Sequence, residues 1–339
     1  MKISKGKQAG LQSVSDARGV IAALAIDQRD ALRKLVAKAK GVDANSVAPE
    51  TLEQFKEAVS RILTPQTSAI LLDPEYGLPA ARARAKTAGL LLAYEQTGYD
   101  KNIAGRLPRL LAGYSVSRLV ASGADCIKVL LYYSAFSASA INDQKKAWVE
   151  RVGAECLAAD VPFFLELVAY HDEIESGTIE FARLKPEIVT RGLEEFSRPQ
   201  YAVDVFKVGV PVTVAFVEGI GDAASRKAYS RDEALAHFRR ADAAAGRPFI
   251  YLSEGVTATL FHQALDLAAE SGSRFSGVLC GRATWSDGVG IFVKSGMSAL
   301  EDWLGVAGVQ NVQAINKLLG SAKPWFASRD VNSVTGIAS

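Results

Sequence analysis

Short apolar runs recur along the chain, and each ends on a polar residue or a glycine. Runs bounded in this way are typical of β-strands. Because they are nearly continuous rather than alternating, they indicate parallel strands that are buried on both faces. The pattern predicts eight strands, at residues 20–26, 69–72, 89–94, 125–131, 161–168, 203–211, 249–252 and 277–282.

Amphipathic patterns between the strands predict helices. These lie at residues 30–40, 49–63, 115–122, 142–159, 186–196, 231–245 and 257–271, with tail helices near 301–304 and 310–319. Residues 11–19 are predicted to be a helix start or a loop. Strands that alternate with helices over 339 residues predict an α/β fold, a single (β/α)₈ TIM barrel with helical insertions and a helical C-terminal tail. The predicted domain spans 1–339, with the barrel core at about 20–285.

An open doubly wound sheet is the alternative fold. Such a sheet normally carries a phosphate loop of the GxGxxG type after its first strand. Here the first predicted strand is followed by Asp27-Gln28-Arg29 instead. The barrel is therefore the favoured prediction.

The ends of the predicted strands supply the candidate chemistry. In a (β/α)₈ barrel these positions converge on one rim, where the active site lies. The residues that end the eight strands are Asp27, Asp73, Glu95, Lys128, Glu166, Lys207, Ser253 and Gly281.

Lys207 is the candidate nucleophile. Burial near the end of an apolar strand favours its neutral amine, and a neutral amine forms Schiff bases with carbonyl groups. Lys128 would face the same mouth and is its rival for this role. Glu166 is placed to shuttle protons, and Asp27 to hydrogen-bond or position a lysine. A buried ion-pair network without catalytic function is the alternative interpretation of these residues.

The last two strand ends suggest an anion site. Ser253 and Gly255 precede a predicted helix, and Gly281-Arg282 closes the final strand. Loops after strands seven and eight commonly bind phosphate in this barrel, and an arginine can grip a phosphate with paired hydrogen bonds. The alternative is that both glycines are turn residues. Arg29 is a candidate for a second anionic group across the mouth, with an exposed salt bridge as the alternative.

Composition and charge narrow the function classes. The formal charge is +2, from 39 basic and 37 acidic residues, and no basic run interleaves with aromatics, so no nucleic-acid partner is expected. No run approaches the length of a membrane span and no apolar signal core begins the chain, so we expect no membrane partner and a cytoplasmic location. The three cysteines and three histidines show no metal-ligand spacing, so no cofactor and no histidine-rich zinc or non-haem iron site are expected, although carboxylates alone could bind magnesium.

Several of these segments together resemble the class I tagatose 1,6-bisphosphate aldolase family. They are Ala25-Ile26-Asp27-Gln28-Arg29, Phe206-Lys207-Val208, Val210-Pro211, Tyr251-Leu252-Ser253 and, most strongly, Gly277-Val278-Leu279-Cys280-Gly281-Arg282-Ala283-Thr284-Trp285. The resemblance covers about residues 20–320, in the family's order. It implies metal-independent cleavage of a ketose 1,6-bisphosphate, tagatose 1,6-bisphosphate first of all, to dihydroxyacetone phosphate and glyceraldehyde 3-phosphate.

The resemblance also implies residue roles. Lys207 matches the Schiff-base lysine, Glu166 the acid/base carboxylate, and Asp27 and Lys128 the supporting residues. The substrate and its phosphates are assigned to Arg29, Gln28, Ser253, Gly255, Gly281 and Arg282.

Two positions depart from the expected family pattern. Gly209 stands where the resemblance predicts an acidic residue, and Glu254 where it predicts a small one. Both touch the surroundings of the sugar, so an aldolase for a related ketose phosphate such as sulfofructose 1-phosphate is an alternative. Two further alternatives are a magnesium-dependent lyase using Asp27, Asp73 and Glu95, and a non-catalytic barrel that binds a sugar phosphate. Apolar positions in the tail helices predict a homo-oligomer.

Overall fold

A computed structural model describes residues 3–97, 99, 103–221 and 226–327 of the chain. Within these residues, eight parallel strands close into a barrel in chain order. The first strand pairs with the last, with Ile21 opposite Gly277, which confirms the barrel and rules out the open sheet. The strands β1 to β8 are Ile21–Ala25, Ala69–Leu72, Gly89–Ala93, Cys126–Tyr133, Phe163–Ala169, Val205–Val208, Phe249–Tyr251 and Gly277–Cys280.

Helices cover the outside of the barrel, and local capping explains where several of them begin. Ser230 and Glu233 form a capping box, and Thr257 caps the helix that follows β7. In the described part of the chain, helices α1 to α12 are Lys5–Ser13, Asp30–Lys40, Pro49–Leu63, Leu78–Ala83, Val116–Ala121, Ser139–Ala158, Ile179–Phe196, Arg231–Ala244, Ala258–Ser271, Arg282–Trp285, Gly288–Trp303 and Val309–Leu318.

The barrel interior changes from apolar to charged along its axis. Alternate strand residues point inward, and the inner apolar cluster includes Ala25, Ala93, Cys126, Phe164 and Val205. Two residues further along each of these strands, the next inward positions are Asp27, Glu95, Lys128, Glu166 and Lys207. The charged side chains of the mouth therefore lie directly above an apolar layer of the barrel interior.

Helix α1 closes the other end of the barrel, where the sequence predicted only a helix start or loop at 11–19. Leu11 and Val14 pack with the interior cluster. Lys7 forms a buried ion pair with Asp204, 2.7 Å between Nζ and Oδ2, beneath β6. The helix was missed because its stability comes from this packing and not from a strong amphipathic pattern of its own.

Helix α7 begins at Ile179, seven residues before the predicted start at Pro186. The proline marked the start in the sequence because it lacks an N–H and is usually excluded from a helix interior. Pro186 has no N–H to donate to the Ala182 carbonyl four residues earlier. In the structure this carbonyl accepts a hydrogen bond from the buried Tyr229 hydroxyl instead. A side chain distant in sequence thus supplies the hydrogen bond that the proline removes from the helix.

The C-terminal tail is helical, as predicted. Helix α11 begins at Gly288, thirteen residues before the predicted 301–304, whereas α12 matches the predicted 310–319 to within one residue at each end. Helix α11 contains a kink at Gly296, whose φ of 84° breaks the helical pattern. A π-helical segment, Leu304–Gly308, joins it to α12. Among the described helices, none combines the length and the apolar character needed to cross a bilayer.

Removing the Tyr229 hydroxyl tests the repair of α7. We expect Tyr229→Phe to lower the free energy of unfolding by about 1–2 kcal/mol, because the Ala182 carbonyl is left buried without its partner. Tyr133→Phe is the matched control, since Tyr133 is also a buried residue but its hydroxyl makes no hydrogen bond to the residues described here. Urea denaturation of both variants gives the measurement, and equal small losses would contradict the explanation.

Candidate active site

Two buried lysines share one carboxylate at the mouth of the barrel. Glu166 Oε2 lies 2.9 Å from Lys207 Nζ and 2.7 Å from Lys128 Nζ. The three residues stand on the adjacent strands β4, β5 and β6, and Glu166 is directly opposite Lys207 in the sheet register. The fold thus brings together the predicted nucleophile, its rival and the predicted proton carrier.

Lys128 is held as an ammonium by three carboxylates. Besides Glu166, its Nζ lies 2.9 Å from Asp27 Oδ2 and 2.7 Å from Glu95 Oε1. Burial alone would lower the pKa of Lys128, but the negative charges of Asp27, Glu166 and Glu95 raise it well above its usual value. Lys128 is therefore a poor nucleophile and a strong fixed positive charge.

Asp27 and Glu95 respond differently to the same ammonium. Burial would raise the pKa of Asp27, but Lys128, Lys207 and Arg29 together hold it well below its usual range. For Glu95 the effect of burial exceeds the opposing effect of the Lys128 charge, so the pKa of Glu95 is raised. Glu95 Oε2 is buried and has no hydrogen-bond partner among the described residues, so it is the oxygen on which a proton would lie.

Lys207 has much less compensating negative charge than Lys128. It is 4% exposed, and its ammonium group contacts one carboxylate, which it shares. An amine in such a position is the better candidate for attack on a carbonyl. The geometry therefore separates two lysines that the sequence left as rivals.

The carboxylates of the rival magnesium hypothesis are each paired with a lysine. Asp73 forms a fully buried ion pair with Lys56 of α3, while Asp27 and Glu95 contact Lys128. In the described ranges, no three His, Cys, Asp or Glu side chains are grouped closely enough to hold a metal ion. This arrangement favours lysine chemistry at the mouth.

The predicted phosphate residues lie together beside β7 and β8. Gly255 has a φ of 78°, and a Cβ there would lie 2.2 Å from Arg282 Nη2, so only glycine lets the guanidinium come this close. Arg282 is exposed, and Ser253 is buried beside the Cys280 thiol, with which it shares a hydrogen bond. The arginine, the hydroxyl and the glycine backbone can surround one anionic group.

Gln28 and Arg29 have different surroundings. A Cβ on Gly281 would lie 3.4 Å from Gln28 Nε2, and Gln28 Oε1 is a buried acceptor with no partner in the described residues. Arg29 is 2% exposed, and its terminal nitrogens donate to Glu75 and to the Glu95 carbonyl, each at 2.8 Å. The ion pair with Glu75 joins a buried guanidinium to a carboxylate whose side chain is 40% exposed, and Arg29 Nε has no hydrogen-bond partner among the described residues. Its role in anion binding stays a prediction.

The two departures from the family pattern are in contact. A Cβ on Gly209 would lie 2.2 Å from Glu254 Oε1, so the carboxylate of Glu254 fills the space that a side chain at 209 would need. Glu254 Oε2 lies 2.6 Å from Nζ of the buried Lys185. The positions therefore form one unit, in which an acidic residue reaches the end of β6 from the loop after β7.

Sequence reasoning missed Lys185 and gave Glu95 only a metal-binding role. Lys185 lies within a helix, so nothing local marks it as the partner of Glu254. Glu95 did carry a signal, because it ends a strand as Asp27 does. Tyr99 was also missed; its ring approaches the charged cluster, and burial together with Glu95 raises the pKa of its hydroxyl above the usual value.

The barrel and its lysine–carboxylate cluster define a TIM-barrel enzyme whose site is built on lysine chemistry. The chain belongs to the DeoC/LacD family of aldolases, whose family model matches residues 21–287. It is therefore an aldolase, a lyase that acts on carbon–carbon bonds.

Curated relatives agree with this membership, and a solved structure shares the fold. Tagatose 1,6-diphosphate aldolase 2 of Enterococcus faecalis is 50% identical, over 98% of this chain and 99% of the relative. Tagatose 1,6-diphosphate aldolase of Listeria monocytogenes is 47% identical, over 96% and 95%. Fructose-bisphosphate aldolase of Plasmodium falciparum has the same fold, with a TM-score of 0.68 at 12% identity over 95% of this chain and 97% of that one.

Exchanging the carboxylate between positions 254 and 209 tests the coupled unit. We expect Gly209→Glu alone to destabilise the fold through the clash. Glu254→Ala alone should cost about 1–3 kcal/mol, because Lys185 loses its carboxylate partner and keeps the weaker hydrogen bond to the Val212 carbonyl. The double variant should recover most of the loss. Chemical denaturation of the three variants completes the cycle, and simple additivity would show that the positions are independent.

Proposed function

We propose that this aldolase cleaves tagatose 1,6-bisphosphate to dihydroxyacetone phosphate and glyceraldehyde 3-phosphate through an imine on Lys207. The observation that carries the proposal is the single Glu166 oxygen shared by Lys207 and Lys128. It puts a candidate nucleophile, a proton carrier and a fixed cation within contact of one another. The sugar is inferred from the curated relatives, which are named for that substrate.

The reaction begins when the Lys207 ammonium passes a proton to Glu166, with which it is paired, and the neutral Nζ then attacks the C2 carbonyl. The resulting carbinolamine loses its hydroxyl as water after receiving a proton, for which Glu166 is the nearest carrier at 2.9 Å from Nζ. The product is a protonated imine, and the nitrogen keeps a positive charge. That charge makes C2 an electron acceptor for the next step.

Cleavage then follows without an external electron acceptor. A carboxylate, in our assignment Glu166, takes the C4 hydroxyl proton, the C3–C4 bond breaks, and its electron pair moves toward the imine to form an enamine. Glyceraldehyde 3-phosphate leaves with the new carbonyl at C4. The enamine is protonated at C3, and water hydrolyses the imine to release dihydroxyacetone phosphate and Lys207.

Lys128 acts in this scheme by electrostatics and position. Since its pKa is raised well above the usual value, it remains an ammonium throughout the neutral range. It fixes Glu166 and Asp27, and so holds the proton carrier beside the imine nitrogen.

The 1-phosphate is assigned to the pocket of Arg282, Ser253, Gly255 and Gly281. Arg282 offers an exposed guanidinium against the Gly255 backbone, and charge-assisted hydrogen bonds to phosphate are strong. Gln28 Nε2 lies on the side of Gly281, and we assign Gln28 to a substrate hydroxyl because its buried Oε1 has no hydrogen-bond partner among the described residues.

Borohydride reduction with dihydroxyacetone phosphate, followed by peptide mass mapping, tests the imine. We expect one stable adduct on Lys207, and none in Lys207→Met. Cleavage of tagatose 1,6-bisphosphate should be unchanged by EDTA, since the imine itself accepts the electrons.

Two outcomes would overturn these roles. An adduct on Lys128 would keep imine chemistry but reverse the lysines. Absence of any adduct, together with loss of cleavage in EDTA, would replace the imine by a metal-dependent reaction.

Replacing the proton carrier gives a second test. We expect Glu166→Gln to lower kcat by about 10²–10⁴-fold, because the amide cannot transfer a proton. Glu75→Gln is the control: this partly exposed carboxylate contacts Arg29 and not a lysine of the cluster. Steady-state kinetics with both variants decide the assignment, and equal losses would refute it.

A further inference from the structure

A strip of tyrosines leads from the charged cluster to Arg106 at the rim. Tyr99 lies against Tyr132 with ring centroids 5.0 Å apart, and Tyr132 lies against Tyr170 at 5.9 Å. The Arg106 guanidinium stands over both Tyr132 and Tyr170, 4.9 Å from each ring centroid. The arginine is thus held by stacking on two aromatic faces.

This strip belongs to the same inner face as the proposed catalytic residues. Tyr132 follows Lys128 by four residues along β4, and Tyr170 follows Glu166 by four residues just beyond β5. Side chains two or four residues apart in a strand point the same way, and four residues advance the chain by about 13 Å. Arg106 therefore lies above the cluster, toward solvent.

The strip also lies across the mouth from the pocket assigned to the 1-phosphate. The strands close in chain order, so β4 is diametrically opposite β8, which Arg282 follows. An extended substrate with an anion at each end, anchored at Arg282 and reacting at Lys207, would direct its other end toward the β4 side.

The backbone holds Arg106 in an unusual conformation. Gly105 has a φ of 88° and Arg106 a φ of 44°, a left-handed region that a residue with a side chain seldom adopts. Gly105 N–H donates to Asp172 Oδ1 at 2.9 Å, which fixes the turn. Strain of this kind is often retained where a side chain must be aimed at a ligand.

The Arg106 guanidinium is available for a ligand. It is half-buried, and among the described residues no carboxylate or carbonyl accepts a hydrogen bond from it. Tyr99 and Arg106 also line a cavity of about 850 Å³ beside α6, so a ligand has room to approach. Arg29, in contrast, is already engaged by Glu75 and the Glu95 carbonyl.

A second positive group stands behind the tyrosines. Lys145 is fully buried, with Nζ 2.8 Å from the Tyr170 hydroxyl, which also shares a hydrogen bond of 2.8 Å with Ser137. Burial lowers the pKa of Lys145 to about 7, so the amine can gain or lose a proton near neutrality. Asp172 is the nearby carboxylate, and its oxygens accept from Gly105 and Ser137.

We propose that Arg106, held between Tyr132 and Tyr170, binds the second anionic group of the substrate, at the end opposite the 1-phosphate. The inference rests on the proposed function and deepens it, because it names the residue that selects a ketose 1-phosphate with an anion at its far end. A planar guanidinium supported by aromatic rings suits such a group, since its N–H edges remain free for paired hydrogen bonds.

The test compares two substrates that differ only at the far end, tagatose 1,6-bisphosphate and tagatose 1-phosphate. Wild-type protein should prefer the bisphosphate. We expect Arg106→Met to lower kcat/KM for the bisphosphate on the order of 10–100-fold and to leave that for the 1-phosphate within about threefold. Arg82→Met replaces an exposed arginine of α4 that does not line this cavity; it is the control and should keep the wild-type preference.

Equal losses on both substrates in Arg106→Met, or no loss on either, would overturn the assignment. So would a wild-type protein that does not distinguish the two substrates. Borohydride trapping of dihydroxyacetone phosphate on the Arg106→Met protein separates this inference from the proposed function. An adduct on Lys207 with unchanged substrate preference refutes only the role of Arg106, whereas no adduct in wild-type protein refutes the imine.

Arg106→Lys provides a variant that keeps the charge. We expect it to recover part of the preference for the bisphosphate, because an ammonium binds anions without the paired geometry. If Arg106→Lys lowers kcat/KM equally for both substrates, the arginine serves only to hold the loop.

Discussion

One buried ammonium surrounded by three carboxylates is the interaction on which the mouth of the barrel depends. Lys128 contacts Asp27, Glu95 and Glu166, which come from three other strands, so a single charge ties one side of the rim together. At Glu95 burial outweighs the positive charges of Lys128 and Arg29, and the neighbouring Asp27 acts in the same direction as burial, so its pKa is raised.

The charged layer is possible only because the apolar layer below it excludes water. Helix α1 closes the far end of the barrel with Leu11 and Val14, and Trp325 of the tail joins the same cluster. The charges therefore face solvent from one direction only. Proton transfers among them are confined to the mouth, where a substrate would displace the remaining water.

Much of the architecture could be predicted because strands and helices have local hydrophobic patterns in the sequence. Each strand is an apolar run, and the polar residue at its end belongs to the inward-pointing series, so Asp27, Lys128, Glu166 and Lys207 were correctly placed at one rim. Contacts between distant segments have no such signature. The partner of the Ala182 carbonyl is Tyr229, and the partners of Arg29 lie on other loops, so the start of α7 and the burial of Arg29 were not foreseen.

The space beside the end of β6 has a consequence for how this family's sequences can change. It holds one carboxylate, which here belongs to Glu254. If the acid moves between positions 209 and 254 one substitution at a time, there are two possible intermediates. One has an acidic side chain at both positions, which clash; the other has none, so Lys185 lacks its carboxylate partner. Both intermediates are handicapped, so the exchange requires nearly simultaneous substitution or a tolerant background. Where a relative carries an acid at position 209 and a small residue at 254, a column-by-column comparison with this chain would record one loss and one gain, although both changes concern the same space beside β6.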